Sequence, residues 1–504
     1  MRKNLISSIQ CLFLLSIAIL TLTACGRNNY EELAEDTALL TPSTLDELLD
    51  RALGRRENII KPDYHAIAQL FEGQTTDPFI YNIWEQRGSA HVTGEEALED
   101  IEVFFEAMRI MYPGWIYFGG DEMFLPIKDL AMADVASMQG VISTNAIGQI
   151  LYRHLSPIIN DRHFWIGQNR LGREVFFSHI TGLEYDRTTN GFRNRETGRI
   201  LTYIDGHDIE EVMQLYINSE GETFYRPIFI GDVVLVESIA FTYSDNSVEH
   251  RRFSMHRASS PSFTRLPSLT HQYGIPIVDV YVFGFDGDEN SLGIEHALPF
   301  LSFAEELRNE PTLIIDLRSH MGGNLFMPFR WLYTLIGEIA TTNFVNLSII
   351  PYTAYVPEIE FNFQDNPAII EYFQNTGLFD YSTFGENIII NHYSGNKITE
   401  NDQIIIILTD RHTLSAAEAF VDATMNINNT LVIGSPTMGM LKFGGAVAPT
   451  FLPNSGLTFG FSQSVFLWPE GHFYEGRGIL PDVWVEGDAL IAALALLRNA
   501  GFGY

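Results

Sequence analysis

Apolar residues run along this chain in three rhythms. From Leu45 to about Ile159 they recur three and four apart, as in Ala97, Leu98, Ile101, Phe104, Phe105 and Met108, which predicts a helical region. Pro113, Gly114, Gly119 and Gly120 interrupt it; between them the run Trp115 to Phe118 reads as a strand or core loop, its aromatic rings assigned to the core. From Phe164 to about Pro261 the spacing shortens to alternation with turn signals, which predicts a β-rich segment. Downstream, short apolar runs without alternation take over: Leu313-Ile314-Ile315, Ile404 to Leu408, and Leu431-Val432-Ile433. The run Ile404 to Leu408 suits a parallel strand covered on both faces rather than a half-exposed one.

The strand Ile404–Leu408 leads through a short turn to Ser415 at the mouth of a helix. Ser415-Ala416-Ala417-Glu418 is an S-x-x-E capping box, so one reading of Ser415 is a helix cap. The other is a nucleophile. Upstream, the strand at Leu313 ends in Gly322-Gly323 ahead of a helical run from Phe326 to Leu335. Glycines let the main chain approach a substrate and aim amides at a developing oxyanion. A third piece, Glu475 to Asp482, is rich in turns and headed by an acid.

In this order the motifs D-L-R-x-x-x-G-G at Asp316 to Gly323, T-x-S-A-x-E at Thr413 to Glu418, G-x-x-T-x-G at Gly434 to Gly439 and G-I-x-P-D at Gly478 to Asp482 resemble the C-terminal-processing (tail-specific) serine peptidases, a family that includes the tricorn protease core. The resemblance covers roughly residues 275 to 490 and implies a crotonase-like (ClpP/crotonase) α/β peptidase core. It implies Ser415 as nucleophile, an oxyanion hole from the N–H groups of Ala416 and Gly322, and Glu475 as the acid that completes the site.

The base departs from the family pattern. One branch places a lysine directly after the T-x-G glycine, where this chain has Met440; the nearest lysine is Lys442, about 7 Å further along an extended strand but on the same face. Its alternative reading is an ordinary solvated lysine. The tricorn-like branch places a histidine on the strand before the D-L-R segment, and the run Ile277 to Phe285 has none. His163, His320, His412 and His472 remain as candidates from elsewhere. His163 lies in a D-x-H segment, Asp161-Arg162-His163, similar to one that precedes the core in this family, where a structural role is expected.

Among its 504 residues, 63 acidic against 31 basic side chains leave the chain strongly negative, which argues against nucleic acid or anionic lipid as partners. At the N-terminus Arg2 and Lys3 precede an apolar run from about Leu12 to Leu22 and then Thr23-Ala24-Cys25-Gly26, which looks like a bacterial lipoprotein signal with Cys25 lipidated. A run this short does not span a bilayer. Of two cysteines Cys11 lies inside the signal, so the mature chain keeps Cys25 alone and forms no internal disulfide.

The expected organisation is a signal peptide at 1–25, a tether at 26–44, a helical region at 45–163, a β-rich domain at 164–265 and a peptidase core at 266–504. Gly198 to Ile209, followed by a short helical run and Gly221-Glu222, is similar to the second half of a PDZ-like module, and a generic β-rich insert fits as well. No metal-ligand spacing or phosphate loop is present, so no metal or nucleotide cofactor is indicated. The function expected is an extracytoplasmic, membrane-tethered serine endopeptidase working on peptide or protein substrates through an acyl-enzyme on Ser415. A catalytically silent homologue that binds peptides or envelope proteins is the alternative, favoured by Met440 and the missing strand histidine. A thioester-handling crotonase-type enzyme is disfavoured by the signal, because coenzyme A chemistry is cytoplasmic.

Overall fold

The computed structural model describes residues 39–59, 81–83, 85–86, 88–233, 238–256, 266–283, 294–338, 340–349, 381–384, 388–391, 398–446 and 450–503. The signal segment with Cys25 lies outside the described residues. Among the described residues no helix is long and apolar enough to cross a membrane.

Helix α1 (Leu45–Glu57) begins where Thr44 and Glu47 form a reciprocal capping box, and Leu45, Leu48, Leu49 and Ala52 line one face. That face packs on Leu431, Ile433 and Val483 of the C-terminal core. Arg56 at its end is buried, ion-paired with Asp482 and donating to the Thr430 carbonyl (2.9 Å). The remaining long helices, α2 (Gly94–Met111), α3 (Gly120–Ala136) and α4 (Thr144–Leu155), form a separate core around Phe104, Phe164, Phe443 and Phe459. The region read as one helical block is therefore split, its first helix belonging to the core. The run Trp115 to Phe118 also departs from expectation: Gly114–Tyr117 is a single helical turn. Trp115 stacks on Phe124 at 4.6 Å, but Tyr117 is 42% exposed and not a core residue.

The β-rich segment supplies β1 (Tyr185–Thr188), β2 (Gly191–Asn194), β3 (Ile200–Ile204), β4 (Met213–Ile217), β5 (Thr223–Gly231), β6 (Ser238–Tyr243) and β7 (Val248–Arg252). The core then runs β8 (Ser268–Gln272), β9 (Ile275–Asp279), α5 (Ile294–Leu307), β10 (Thr312–Asp316), α6 (Phe326–Ile336), β11 (Ile404–Thr409), α7 (Ala416–Met425), β12 (Thr430–Gly434), β13 (Phe443–Ala446), β14 (Ser462–Leu467), β15 (Val483–Val485) and α8 (Ala489–Asn499). One sheet joins both regions in the order β7-β6-β3-β2-β1-β5-β4-β15-β12-β11-β10-β9-β8. From β4 to β9 every neighbour is parallel.

The unbroken apolar runs now have a cause. Successive side chains of a strand point to opposite faces. Leu313, Ile315, Ile405 and Ile407 face Phe300, Trp331 and Phe420 on α5, α6 and α7. Ile314, Ile406 and Leu408 face Leu45 of α1 and Ala492 and Leu496 of α8. Helices on both faces leave no polar side for alternation to mark.

Candidate active site

β10 and β11 pair in parallel, with Asp316 opposite Leu408, so the turns that follow them emerge side by side at the carboxyl edge of the sheet. Open α/β folds place their ligands there. The D-L-R segment holds this edge: Arg318 clasps Asp316 with two hydrogen bonds (2.8 and 2.6 Å) and reaches Asp488, the cap of α8 (2.8 Å). Buried Asp410 accepts the N–H groups of Ser319 (2.9 Å) and His412 (2.8 Å), and the Thr413 hydroxyl donates to the Leu317 carbonyl (2.8 Å). The Leu414 N–H donates to the His320 carbonyl (3.1 Å). These bonds bring Gly322 against Ser415. A Cβ at Gly322 would lie 2.9 Å from the Ser415 Cβ and 3.1 Å from the Leu414 carbonyl oxygen, and the residue has φ 81°, so only glycine fits.

Ser415 sits at the N-cap of α7 with φ 54° and ψ −119°. A residue with a Cβ pays about 1–3 kcal/mol for such a conformation and keeps it only where its surroundings over-determine it. Here the surroundings are a buried carboxylate. Glu418 accepts the Ser415 N–H (3.0 Å), the Thr437 hydroxyl (2.6 Å) and the N–H groups of Gly439 (2.7 Å) and Met440 (2.8 Å). Burial raises its pKa against the pull of those four donors. The S-x-x-E pattern therefore caps the helix and also ties the G-x-x-T-x-G loop to the serine turn.

Ala416 is the first residue of α7, and its N–H has no acceptor within the helix. The Gly322 N–H differs from expectation: it donates to His320 Nδ1 (3.0 Å). The imidazole curls back onto its own turn and occupies the amide expected to face an oxyanion. Accepting at Nδ1 assigns the proton to Nε2, which is buried without a partner. Burial holds the His320 pKa down at about 3, and the ring packs on Phe283 at 4.1 Å.

Lys442 also departs from expectation. Its ammonium lies over the Tyr117 ring, 5.2 Å from the centroid, while its backbone N–H donates to Glu475 Oε2 (2.9 Å). The side chain finds an aromatic face on the helical region, and among the described residues no hydrogen bond links it to Ser415.

Glu475 is buried, and its second oxygen accepts the Arg162 N–H (2.9 Å). Its neighbours are Asp161 and His163, and one donor atom from each of the three lies within 4.8 Å of the others. Asp161 Oδ1 accepts the N–H groups of His163 (2.8 Å) and Phe164 (3.2 Å) and the Ser462 hydroxyl (3.2 Å). Burial, helped by the charges of Arg170 and Arg162, lowers His163 to about 4, so its imidazole is neutral near pH 7. Burial raises Asp161 to about 6 and, with the charge of Asp161, lifts Glu475 well above the usual carboxylate range. One loop joins this cluster to the serine: Gly439 and Met440 are bound by Glu418, two residues before Lys442 is bound by Glu475.

The other histidines lie elsewhere. His472 Nε2 is 2.8 Å from Asp422 Oδ1, two turns along α7 from Ser415, and its ring stacks on Trp468. His412 is exposed. His163, whose ring bonds the Phe443 backbone, is thus the histidine that comes within 4.8 Å of the expected acid, and the D-x-H spacing, read as structural, was its signal in the sequence.

The parallel core thus holds Ser415 on a strained strand-to-helix turn against the Gly322–Gly323 pair. Residues 297–485, a little over a third of the chain, match the model of Peptidase family S41. A probable CtpA-like serine protease of Staphylococcus aureus is 34% identical over 85 residues, 17% of this chain and 16% of the relative. The match thus spans about a sixth of the length of the curated relatives. Solved structures similar to this chain include mature CPAF (13% identity, 82% of this chain and 99% of that one, TM-score 0.40) and a photosystem II D1 C-terminal processing protease (11%, 78% and 93%, TM-score 0.34).

Proposed function

We propose that this chain is a serine peptidase that cuts protein substrates through an acyl-enzyme on Ser415, with His163 as general base and Glu475 as the group that orients it. The observation that carries the reading is the clustering of His163 within 4.8 Å of Glu475, beside the loop that Glu418 fastens to the serine turn. In the first step the Ser415 hydroxyl attacks the peptide carbonyl and passes its proton to neutral His163. The N–H groups of Ala416 and Gly322 hold the tetrahedral oxyanion, the latter once His320 lets go of it. His163 then protonates the leaving amine, and water, deprotonated by the same imidazole, hydrolyses the ester. Lipidation of Cys25 would tether the enzyme to the outer side of a membrane; the basic start, apolar run and Thr23-Ala24-Cys25 order support this.

A silent peptide-binding homologue is the second reading, favoured by the hydrogen bond between Gly322 and His320. Labelling with a serine-reactive fluorophosphonate separates the two. Active-site labelling that disappears in both Ser415→Ala and His163→Gln, with melting temperatures unchanged, is the expected result. Absence of labelling at every pH tested would leave the silent homologue.

A further inference from the structure

We infer that Asp161, His163 and Glu475 form a binding site for a divalent transition metal of the zinc type, and that the bound ion switches off the peptidase. The switching half rests on the reading of His163 as base.

Asp161 and His163 share one segment and Glu475 comes from another 312 residues downstream, so no contiguous set of three ligands announces the cluster. Their donor atoms share a space in which all lie within 4.8 Å of one another. Asp161 is fully buried and Glu475 7% exposed, while His163 is half-buried and forms the side of the cluster nearest solvent. The hydrogen bonds already made leave donor capacity unspent. Asp161 Oδ1 takes three donors, while Oδ2 is buried with no donor at hydrogen-bond distance, the Tyr112 hydroxyl being the polar group that faces this carboxylate. Each Glu475 oxygen accepts one backbone N–H and keeps a second lone pair. His163 Nδ1 is buried with no partner. Main-chain N–H groups thus orient both carboxylates from behind, as outer-shell partners do around metal ligands.

Chemistry favours a cation in this space. Two buried carboxylates repel, and a dication between them turns that repulsion into attraction. One imidazole and two carboxylates, with no thiolate, suit zinc and its neighbours rather than a soft ion such as Cu(I). Metal–ligand bonds of about 2.0–2.1 Å put tetrahedral ligands about 3.3 Å apart, so the side chains need draw in by only about 1–1.5 Å. Coordination spends the imidazole lone pair that would take the serine proton, so an occupied site is a silent one.

The test uses the untagged full chain in detergent. Calorimetric titration of Ser415→Ala with zinc chloride reads binding without reference to turnover, and cobalt(II) gives an independent visible band. One ion per chain, weakened at least tenfold by His163→Gln and by Glu475→Gln, is expected; folding of each variant is checked by thermal melt, and either one alone suffices if the other unfolds. No stoichiometric binding, or binding unchanged in the folded variants, overturns the site. In the wild type, zinc should block fluorophosphonate labelling and EDTA should restore it; labelling indifferent to bound zinc overturns the switch. Zinc binding in a chain that never labels supports the site and instead defeats the peptidase reading.

Discussion

The two halves of the candidate site are built by different means. The serine half comes from two adjacent parallel strands, whose ends lie together as soon as β10 pairs with β11. The histidine half draws Asp161 and His163 from the end of the helical region, the Lys442 backbone from a loop and Glu475 from the turn before β15. Backbone geometry fixes the first; long-range packing fixes the second. Local motifs therefore suffice to find the serine turn, whereas the histidine cluster depends on contacts that only the folded chain makes.

The largest effect that can break this comparison is at the base. His163→Gln should lower turnover about 10³-fold, within the usual range for a general base, while Lys442→Met changes it less than about threefold. Steady-state kinetics on a peptide substrate decides, and the reverse ranking would return the lysine to the site. Next is the serine half. Gly322→Ala forces a Cβ to within 2.9 Å of Ser415 at φ 81°, and turnover should fall about 10²-fold with KM little changed, the mark of a lost oxyanion donor. An ester-for-peptide substrate comparison sharpens it: the Gly322→Ala defect should persist for both leaving groups.

The smallest effect concerns stability. His256 and His320 are buried, and burial lowers both to about 3 from an ordinary 6.5. The unfolded chain binds protons at these residues below pH 6.5 and the folded chain does not, so the stability they confer is complete above pH 6.5 and is lost as pH falls toward 3. At pH 5 each should cost about 2 kcal/mol. Denaturant melts of His256→Asn between pH 7 and pH 5 should show a flatter decline than wild type; equal slopes would refute the buried neutral imidazole.

How much was legible follows from the same division. The strands at Leu313, Ile404 and Leu431 were readable because burial on both faces abolishes alternation, and the approach of Gly322 to Ser415 follows from local motifs at the ends of paired strands. His163 was visible only as a structural D-x-H residue, since its partner lies 312 positions downstream. Lys442 misled because strand parity gives a side chain's direction but not what it meets, here the Tyr117 ring. Trp115 to Phe118 misled because aromatic residues favour strands, whereas stacking on Phe124 holds this run in a helical turn. The junction of two regions in one sheet leaves no mark in either strand's composition.

That junction governs how the molecule can move. β4 joins β15 by main-chain pairing, Tyr216 beside Trp484 and Ile217 beside Val485, with the two buried rings stacked at 6.1 Å. A swing of the β-rich region as a separate body would tear a ladder and unstack that pair, so the region is a cantilever welded to the core. A load on its far strands, β6 and β7, would reach the core through this ladder. Such a machine flexes like a spring and does not open like a door.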